Sequence, residues 1–361
     1  MNLKELRLYH FKNHSNITLQ FADKVNAIIG NNGVGKTNIL DAVYYLANTK
    51  SYFNHLDNQL IQFGETECSI MGIYSDENQN TDIQIAFGEN RKKTVKKNQK
   101  AFPRLLDYIG QVSAVFITPY DISLVFEGSE ERRRFIDYTI SQLDKTYLNQ
   151  LIEYRKVIEQ RNSFLKSLDG KDADPILMES FSFKLIPLSN SIFQKRTEFI
   201  EKFNPYFNES YRKLCGDLNQ EILKIEYVSP LNSDSIEKIL LNNHKIDCIS
   251  GRTNNGIHKD DLNIEINGLP LKKFGSQGQI KSSVIALKLA QYQYLNQLSG
   301  KKPWLLLDDI FEKIDETRSQ QLMKMVCGDE FGQIFVSDTH AQRVKDHFDS
   351  QGVEVNYYIL E

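Results

Sequence analysis

Cysteine is scarce. Four thiols (Cys68, Cys215, Cys248 and Cys327) are scattered over 361 residues, with no Cys-x-x-Cys pair and no histidine cluster beside them. This excludes a cysteine zinc site and a disulfide framework, and it reads as the reduced, mostly buried thiols of a cytoplasmic protein. Long apolar runs are missing as well. Stretches such as Trp304-Leu305-Leu306-Leu307 are far too short to span a bilayer. The start, Met1-Asn2-Leu3-Lys4-Glu5, has an early acid and no apolar run, so no secretory signal is expected. Neither sign of charge dominates: 44 Lys plus Arg stand against 47 Asp plus Glu, for a net charge of −3. That balance excludes a uniformly basic, histone-like nucleic-acid binder and leaves room for a local basic face. No internal repeat is present, and no sustained heptad run that could build a long coiled-coil arm.

What is there suits a folded protein. Apolar residues make up 40% of the chain and aromatics 11%, and the length amounts to roughly two to three domain units. Alternating apolar residues predict short strands between Leu3 and Phe21, and Val25–Ile29 reads as a buried strand running into Gly30. Ile39, Leu40, Val43, Tyr44, Leu46 and Ala47 fall at helical spacing. Residues 69–100 read as β structure, and residues 129–226 as helices punctuated by Pro175, Pro187 and Pro205. Asp261–Ile266 alternates as a strand and closes on an Asn-Gly turn. Residues 280–298 form a helix, and 303–308 and 333–337 read as buried parallel strands.

Gly30-Asn31-Asn32-Gly33-Val34-Gly35-Lys36-Thr37 fits the phosphate-loop pattern G-x-x-x-x-G-K-[ST] in full. Its glycines let backbone N–H groups curl around an anion at the N-terminus of the next helix. Lys36 is the cation expected on the β- and γ-phosphates, and Thr37 the hydroxyl expected on Mg²⁺. The strand before the loop and the amphipathic helix after it are the context this chemistry requires. Leu305-Leu306-Leu307 delivers two carboxylates, Asp308 as the Mg²⁺-associated acid and Asp309 as the candidate base for an attacking water. Outside this context an Asp pair after a strand is more often a helix cap.

Lys36 and Asp308 lie 272 residues apart, which is far more than a compact kinase needs. Ahead of the 280–298 helix stands Ser276-Gln277-Gly278-Gln279. Ser276, Gly278 and Gln279 there offer a second anion-binding turn, suited to a nucleotide held by another subunit. Ser276 is equally a plain helix cap, and the two roles are compatible.

These residues resemble the RecF family of the SMC/ABC-type ATPases over essentially the whole chain. The phosphate loop followed by Asn38, the S-x-G-Q turn, and Asp308-Asp309 with Asp315 all match family motifs. More particular are Arg132-Arg133-Arg134-Phe135-Ile136-Asp137 and Gly256-Ile257-His258-Lys259-Asp260-Asp261. The resemblance implies an α/β ABC/SMC-type ATPase head, a P-loop sheet with an antiparallel β part, carrying an inserted helical lobe. The expected division is 1–125 for the first ATPase lobe, 126–250 for the helical insertion and 251–361 for the completion of the head. The resemblance also implies ATP and Mg²⁺, an ATP-dependent homodimer, and binding to single-stranded and duplex DNA at gaps or junctions. RecR and RecO recombination mediators are the implied partners, with roles in recombinase loading and SOS induction.

The chain departs from the family in Glu312-Lys313-Ile314-Asp315 and in Asp338, where many ABC proteins place His; His340 follows two residues on. Asp309 stands where the wider class has Glu. An acid one carbon shorter predicts slow hydrolysis.

Arg91–Lys100 holds six basic residues and no acid, a patch that suits phosphate contacts or a solvated hairpin rim. Arg132–Arg134, flanked by Glu127, Glu130 and Glu131, suits an internal contact as well as a DNA contact. His258 and Lys259 suit either the nucleotide region or a structural role. The aromatic residues of 180–211, at helical spacing, are expected in a core and not in base stacking. An ABC-type ATPase subunit of a membrane transporter is the alternative function; the arginine motif and the 272-residue gap stand against it.

Overall fold

A computed structural model describes residues 2–76, 79–216, 220–312 and 315–361. The strands are β1 (Asn2–Phe11), β2 (His14–Gln20), β3 (Val25–Gly30), β4 (Glu67–Asp76), β5 (Gln79–Gly88), β6 (Arg91–Lys97) and β7 (Lys100–Ala101), then β8 (Ala114–Ile117), β9 (Leu223–Val228), β10 (Asp261–Ile266), β11 (Leu269–Pro270), β12 (Trp304–Asp308), β13 (Ile334–Asp338) and β14 (Val355–Leu360). The helices are α1 (Lys36–Asn48), α2 (Ser123–Phe126), α3 (Ser129–Leu143), α4 (Lys145–Ser167), α5 (Pro175–Cys215), α6 (Ile236–Ser250), α7 (Leu271–Phe274), α8 (Gln277–Ser299), α9 (Glu316–Val326) and α10 (Ala341–Asp349). The chain divides into two compact units. The first holds Met1–Ile122, Tyr206–Gln220 and Ser276–Glu361; the second holds Ser123–Pro205 and Glu221–Gly275.

In the first unit a five-stranded sheet, ordered β14-β3-β13-β12-β8, is parallel throughout. Its central strands are continuous apolar runs because both faces are covered. An antiparallel sheet, ordered β2-β1-β4-β5-β6-β7, is the second layer. α1 touches strands of both sheets, so it is buried nearly all round, from Ile39 to Ala47. Trp304 of β12 stacks on Tyr74 of β4 at 5.4 Å between ring centroids and ties one sheet to the other.

The second unit is mainly helical and carries the antiparallel sheet β11-β10-β9. β9 and β10 alternate between buried and accessible residues, as strands with one wet face do. β10 pairs with β9 from Asp261↔Val228 to Ile266↔Leu223, and this pairing draws residues 251–275 into the second unit. The inserted unit therefore runs past residue 250, where the sequence suggests that it ends.

Residues 175–215 form one 41-residue helix with Pro187 and Pro205 inside it. An interior proline costs roughly 3 kcal/mol. A buried face of Ile192, Phe199, Ile200, Phe203, Phe207, Tyr211 and Leu214, with Arg196 among them, offsets that cost, each apolar residue contributing about 1.5–3 kcal/mol. These aromatics are core, as their spacing predicts, whereas Phe183 is exposed.

Candidate functional site

β3 carries the chain to the C-terminal edge of the parallel sheet and turns it into the phosphate loop. Gly30 pairs with Leu360 of β14, and a Cβ on Gly30 would lie 2.7 Å from the Leu360 carbonyl oxygen. Gly35 caps α1 at φ 103°, a conformation L side chains rarely adopt. A Cβ on Gly35 would also strike the Asn13 amide, at 2.4 Å. Asn31, Asn32 and Gly33 are exposed at the crest of the loop, and Val34 and Gly35 are half-buried.

The β1–β2 turn grips this loop from the side. Asn13 Nδ2 donates to the Val34 carbonyl at 3.0 Å, and His14 Nε2 lies 3.1 Å from the Gly35 carbonyl. Burial pushes the His14 pKa down, against the opposing pull of the Gly35 carbonyl, so the ring is neutral at pH 7 and Nε2 bears the donated proton. Lys12 adds an ion pair at 2.7 Å to Asp41, a fully buried carboxylate in α1. No motif names these three residues, and sequence reasoning missed them.

Lys36 is only 4% exposed, and its ammonium donates to the Gly30 and Asn31 carbonyls at 2.9 and 3.1 Å. No carboxylate among the described residues forms an ion pair with it, so its charge is free to meet an anion in the loop. Beside it, Thr37 Oγ1 donates to both oxygens of Asp308, at 2.9 and 3.0 Å. Ser337 Oγ donates to Asp308 at 2.6 Å and accepts the Asp309 N–H at 3.1 Å. Burial raises the pKa of Asp308, and the hydroxyls of Ser337 and Thr37 and the Lys36 charge work against it. A hydroxyl and one carboxylate, all oxygen, are what Mg²⁺ takes from a protein when phosphates supply further ligands. The residues present therefore fit the ion. Among the described residues no cluster of three or more His, Cys, Asp or Glu offers an all-protein metal cage.

Sheet order explains the convergence. β13 lies between β3 and β12, so Ser337 and Asp338 sit between the phosphate loop and the Asp308-Asp309 pair. Asp309 turns off the strand at φ 44°, a left-handed position that Asp tolerates better than most residues. Asp338 is fully buried; it accepts the His340 N–H at 2.7 Å, and Arg343 Nε is 3.6 Å away. His340 Nδ1 takes a hydrogen bond from Arg343 at 2.7 Å and is engaged in that local turn.

Ser276, Gly278 and Gln279 are in the same unit, at the start of α8. Ser276 Oγ accepts the Gln279 N–H, and the Gln279 side chain accepts the Ser276 N–H, forming a capping box. Ser276 and Gln277 are exposed at that helix start. Asp315 caps α9; Lys313 and Ile314 of the preceding Glu312-Lys313-Ile314-Asp315 stretch lie outside the described residues.

The basic and arginine motifs separate in the structure. On β6, Lys93 turns inward and bonds Asp57 at 2.7 Å and the Thr49 carbonyl at 2.6 Å, over the Tyr45 ring. Arg91 lies 3.7 Å from Glu67 beside a groove of about 190 Å³ lined in part by Tyr9, Thr94 and Lys96. Lys92 and Lys100 are exposed, and Lys96 and Lys97 partly so.

The arginine motif is internal. Arg132 makes a two-pronged ion pair with Asp261, Arg133 donates to the Asp260 carbonyl and Arg134 pairs with Glu130 and Glu131. Behind them Arg196, 2% exposed, bonds Asp137 at 2.9 Å and Asp260 at 2.6 Å. His258 accepts from Tyr154 Oη at Nδ1 (2.8 Å) and donates from Nε2 to the Thr253 carbonyl (3.0 Å). Burial pushes its pKa down to about 4, which makes it a neutral structural histidine. Lys259 beside it is exposed.

Comparison with known proteins bears on this geometry. A family model described as "RecF/RecN/SMC N terminal domain" matches residues 2–356. A DNA replication and repair protein RecF of Flavobacterium johnsoniae is 45% identical over 96% of each chain. One from Parabacteroides distasonis is 40% identical, covering 94% of this chain and 92% of its own. A structure of the recombination mediator protein RecF with ATP superposes with a TM-score of 0.86 at 28% identity, covering 94% of this chain and 92% of that one. An Smc head bound to the C-terminal winged-helix domain of ScpA, 14% identical with a TM-score of 0.54, shares the fold over 94% of this chain and 90% of its own. With a two-sheet ATPase head, a complete phosphate loop and relatives of this kind along nearly its full length, the chain belongs to the RecF family.

Proposed function

We propose that this protein is an ATP-dependent DNA-binding protein of replication and recombinational repair, in which ATP closes two copies over DNA. The observation that carries this reading is the pair of anion-binding half-sites in one unit. Gly30–Thr37 with Asp308 can hold a nucleotide, while Ser276 and Gln277 expose a second helix start to solvent. A second copy related by a two-fold axis would bring each signature turn to the other's phosphate loop.

In the assembled site Lys36 neutralises the β- and γ-phosphates, and backbone N–H groups of Asn31–Lys36 cradle them. Thr37 and Asp308 hold Mg²⁺, which supplies charge compensation on the phosphate oxygens. Asp309 orients the attacking water and accepts its proton, and Ser276 and Gly278 meet the nucleotide from the partner copy. The short reach of Asp309 makes turnover slow, so ATP acts as a timer for release of DNA. Lys92, Lys96, Lys97 and Lys100 offer the β6–β7 hairpin to phosphates, without base readout.

The relatives are named as DNA replication and repair proteins, and two structural neighbours at 28% identity as the recombination mediator protein RecF of the RecFOR pathway. Those names support a role in DNA repair; gapped or junction DNA as the ligand, RecR and RecO as partners in recombinase loading and SOS induction, and a cytoplasmic location are what the family resemblance implies. Those names also weigh against a transporter subunit, and no described helix is long and apolar enough to cross a membrane.

Sedimentation of wild type and Lys36→Met, with and without ATP and gapped DNA across a salt series, tests this reading. Wild type is expected to dimerise only with ATP and to bind DNA more tightly as salt falls, and Lys36→Met to do neither. A wild type that stays monomeric with both ligands would end the dimer reading.

A further inference from the structure

The signature turn carries a contact that its motif does not explain. Asp315 caps α9 by accepting the Arg318 backbone N–H at 3.0 Å, and it accepts from the Arg318 guanidinium at 2.9 Å. That double hold folds the Arg318 side chain back over Gly278. A Cβ built on Gly278 would lie 2.8 Å from one terminal nitrogen of Arg318 and 3.6 Å from the other. The backbone of Gly278 is not left-handed, so its conformation accepts any residue. A side chain at 278 would therefore have to push the flexible end of Arg318 away from its place beside Asp315.

The arrangement is poor as a stability device. An exposed i,i+3 ion pair on the first turn of a helix contributes about 0.2–0.5 kcal/mol. Its geometric effect is larger, because the planar fork held by Asp315 lies where a Cβ on the signature glycine would be, between that turn and the cap of α9. No hydrogen bond or ion pair among the described residues links Arg318 to Gly30–Thr37 of its own chain.

We propose that Arg318 is a positioning residue for ATP turnover. It locks the signature turn to Asp315 and acts on the nucleotide held by a second copy, not on its own. This rests on the two-copy reading above, and a mixing experiment separates the two ideas. Asp309→Asn, which keeps the phosphate loop for ATP binding and dimerisation, and Arg318→Gln are purified and assayed for ATP turnover alone and mixed one to one with DNA present, alongside wild type.

Each variant alone is expected to fall below about a tenth of the wild-type rate. In the mixture, an Arg318→Gln chain binds ATP, keeps its own Asp309 and receives an intact Arg318 from the Asp309→Asn chain. Random pairing places one complete site in half of the dimers, so turnover should recover to about a quarter of wild type. Arg318→Gln should melt within about 2 °C of wild type, as loss of a surface pair predicts. A mixture no faster than its components, with wild type still dimerising, overturns the action of Arg318 across the interface. Full activity of Arg318→Gln alone overturns its positioning role. A wild type that never dimerises overturns the two-copy reading and this inference with it.

Discussion

Two buried carboxylate centres divide the molecule's electrostatics, and they are treated in opposite ways. In the second unit Asp137 and Asp260 share Arg196, supported by Tyr147 Oη on Asp137 and by Tyr227 Oη on Asp260. In the first unit Asp308 is equally buried but meets only hydroxyls at hydrogen-bond distance, while the nearby Lys36 ammonium is bonded to carbonyls. A carboxylate whose charge is cancelled by its own chain holds the fold together. One left with hydroxyls is built for a ligand. The motifs around both centres are equally prominent in the sequence, and only the partners tell the roles apart.

Arg196→Met probes this contrast most severely. It strands buried Asp260 and leaves Asp137 only the half-exposed Arg155 at 3.1 Å, and unfolding by denaturant should show a loss of about 3–5 kcal/mol. A loss below about 1 kcal/mol would mean that the network is not structural. Asp308→Asn should do the reverse. Burial holds the folded-state pKa of Asp308 above its unfolded value, so the ionised group costs stability once pH rises through that range. The amide should raise the melting temperature at pH 7 while weakening Mg²⁺-dependent ATP binding by about 10–100-fold, as loss of a metal-holding carboxylate does. A variant that melts lower and binds ATP normally would contradict the assignment.

His258 tests the structural side through pH. Its folded pKa, about 4, lies below the unfolded value of 6.5, so between those values the unfolded chain binds more protons. Stability should be fully present above pH 6.5 and fall by about 3 kcal/mol as pH drops toward 4. His258→Gln should remove that part of the slope; a slope unchanged in the variant would assign it to other groups. The smallest effects belong to the basic hairpin. Lys96→Gln with Lys97→Gln should lower the salt slope of DNA binding by about 2 at most, with a matching loss of affinity. Lys93→Gln should leave DNA affinity alone and cost about 1–2 kcal/mol of stability, because its partners are internal.

The phosphate loop and the Asp308 strand were legible because their chemistry is local: a glycine pattern, one lysine and an apolar run ending in acids. What the sequence hid was pairing at a distance. Arg196 looks like any helical arginine, and its partners lie 59 and 64 residues away. Ser337 reads as the end of a strand, and only the order β3-β13-β12 makes it the hinge between Asp308 and Asp309. Residues 251–275 follow the second unit because β10 finds its partner across α6. The arginine run was ambiguous until Asp260 and Asp261 took up two of its three members, and Pro187 and Pro205 suggested breaks in a helix whose buried face continues past both.

The stacked pair that ties the two sheets has a spectroscopic consequence. Trp304 is the chain's single tryptophan, 1% exposed and parallel to Tyr74 within 8°, four residues before Asp308. The second unit contains none. Tryptophan emission therefore reports on the ATPase head alone, while circular dichroism sees every helix. Recording both through one denaturation would show whether the helical unit melts with the head or apart from it, with no label added.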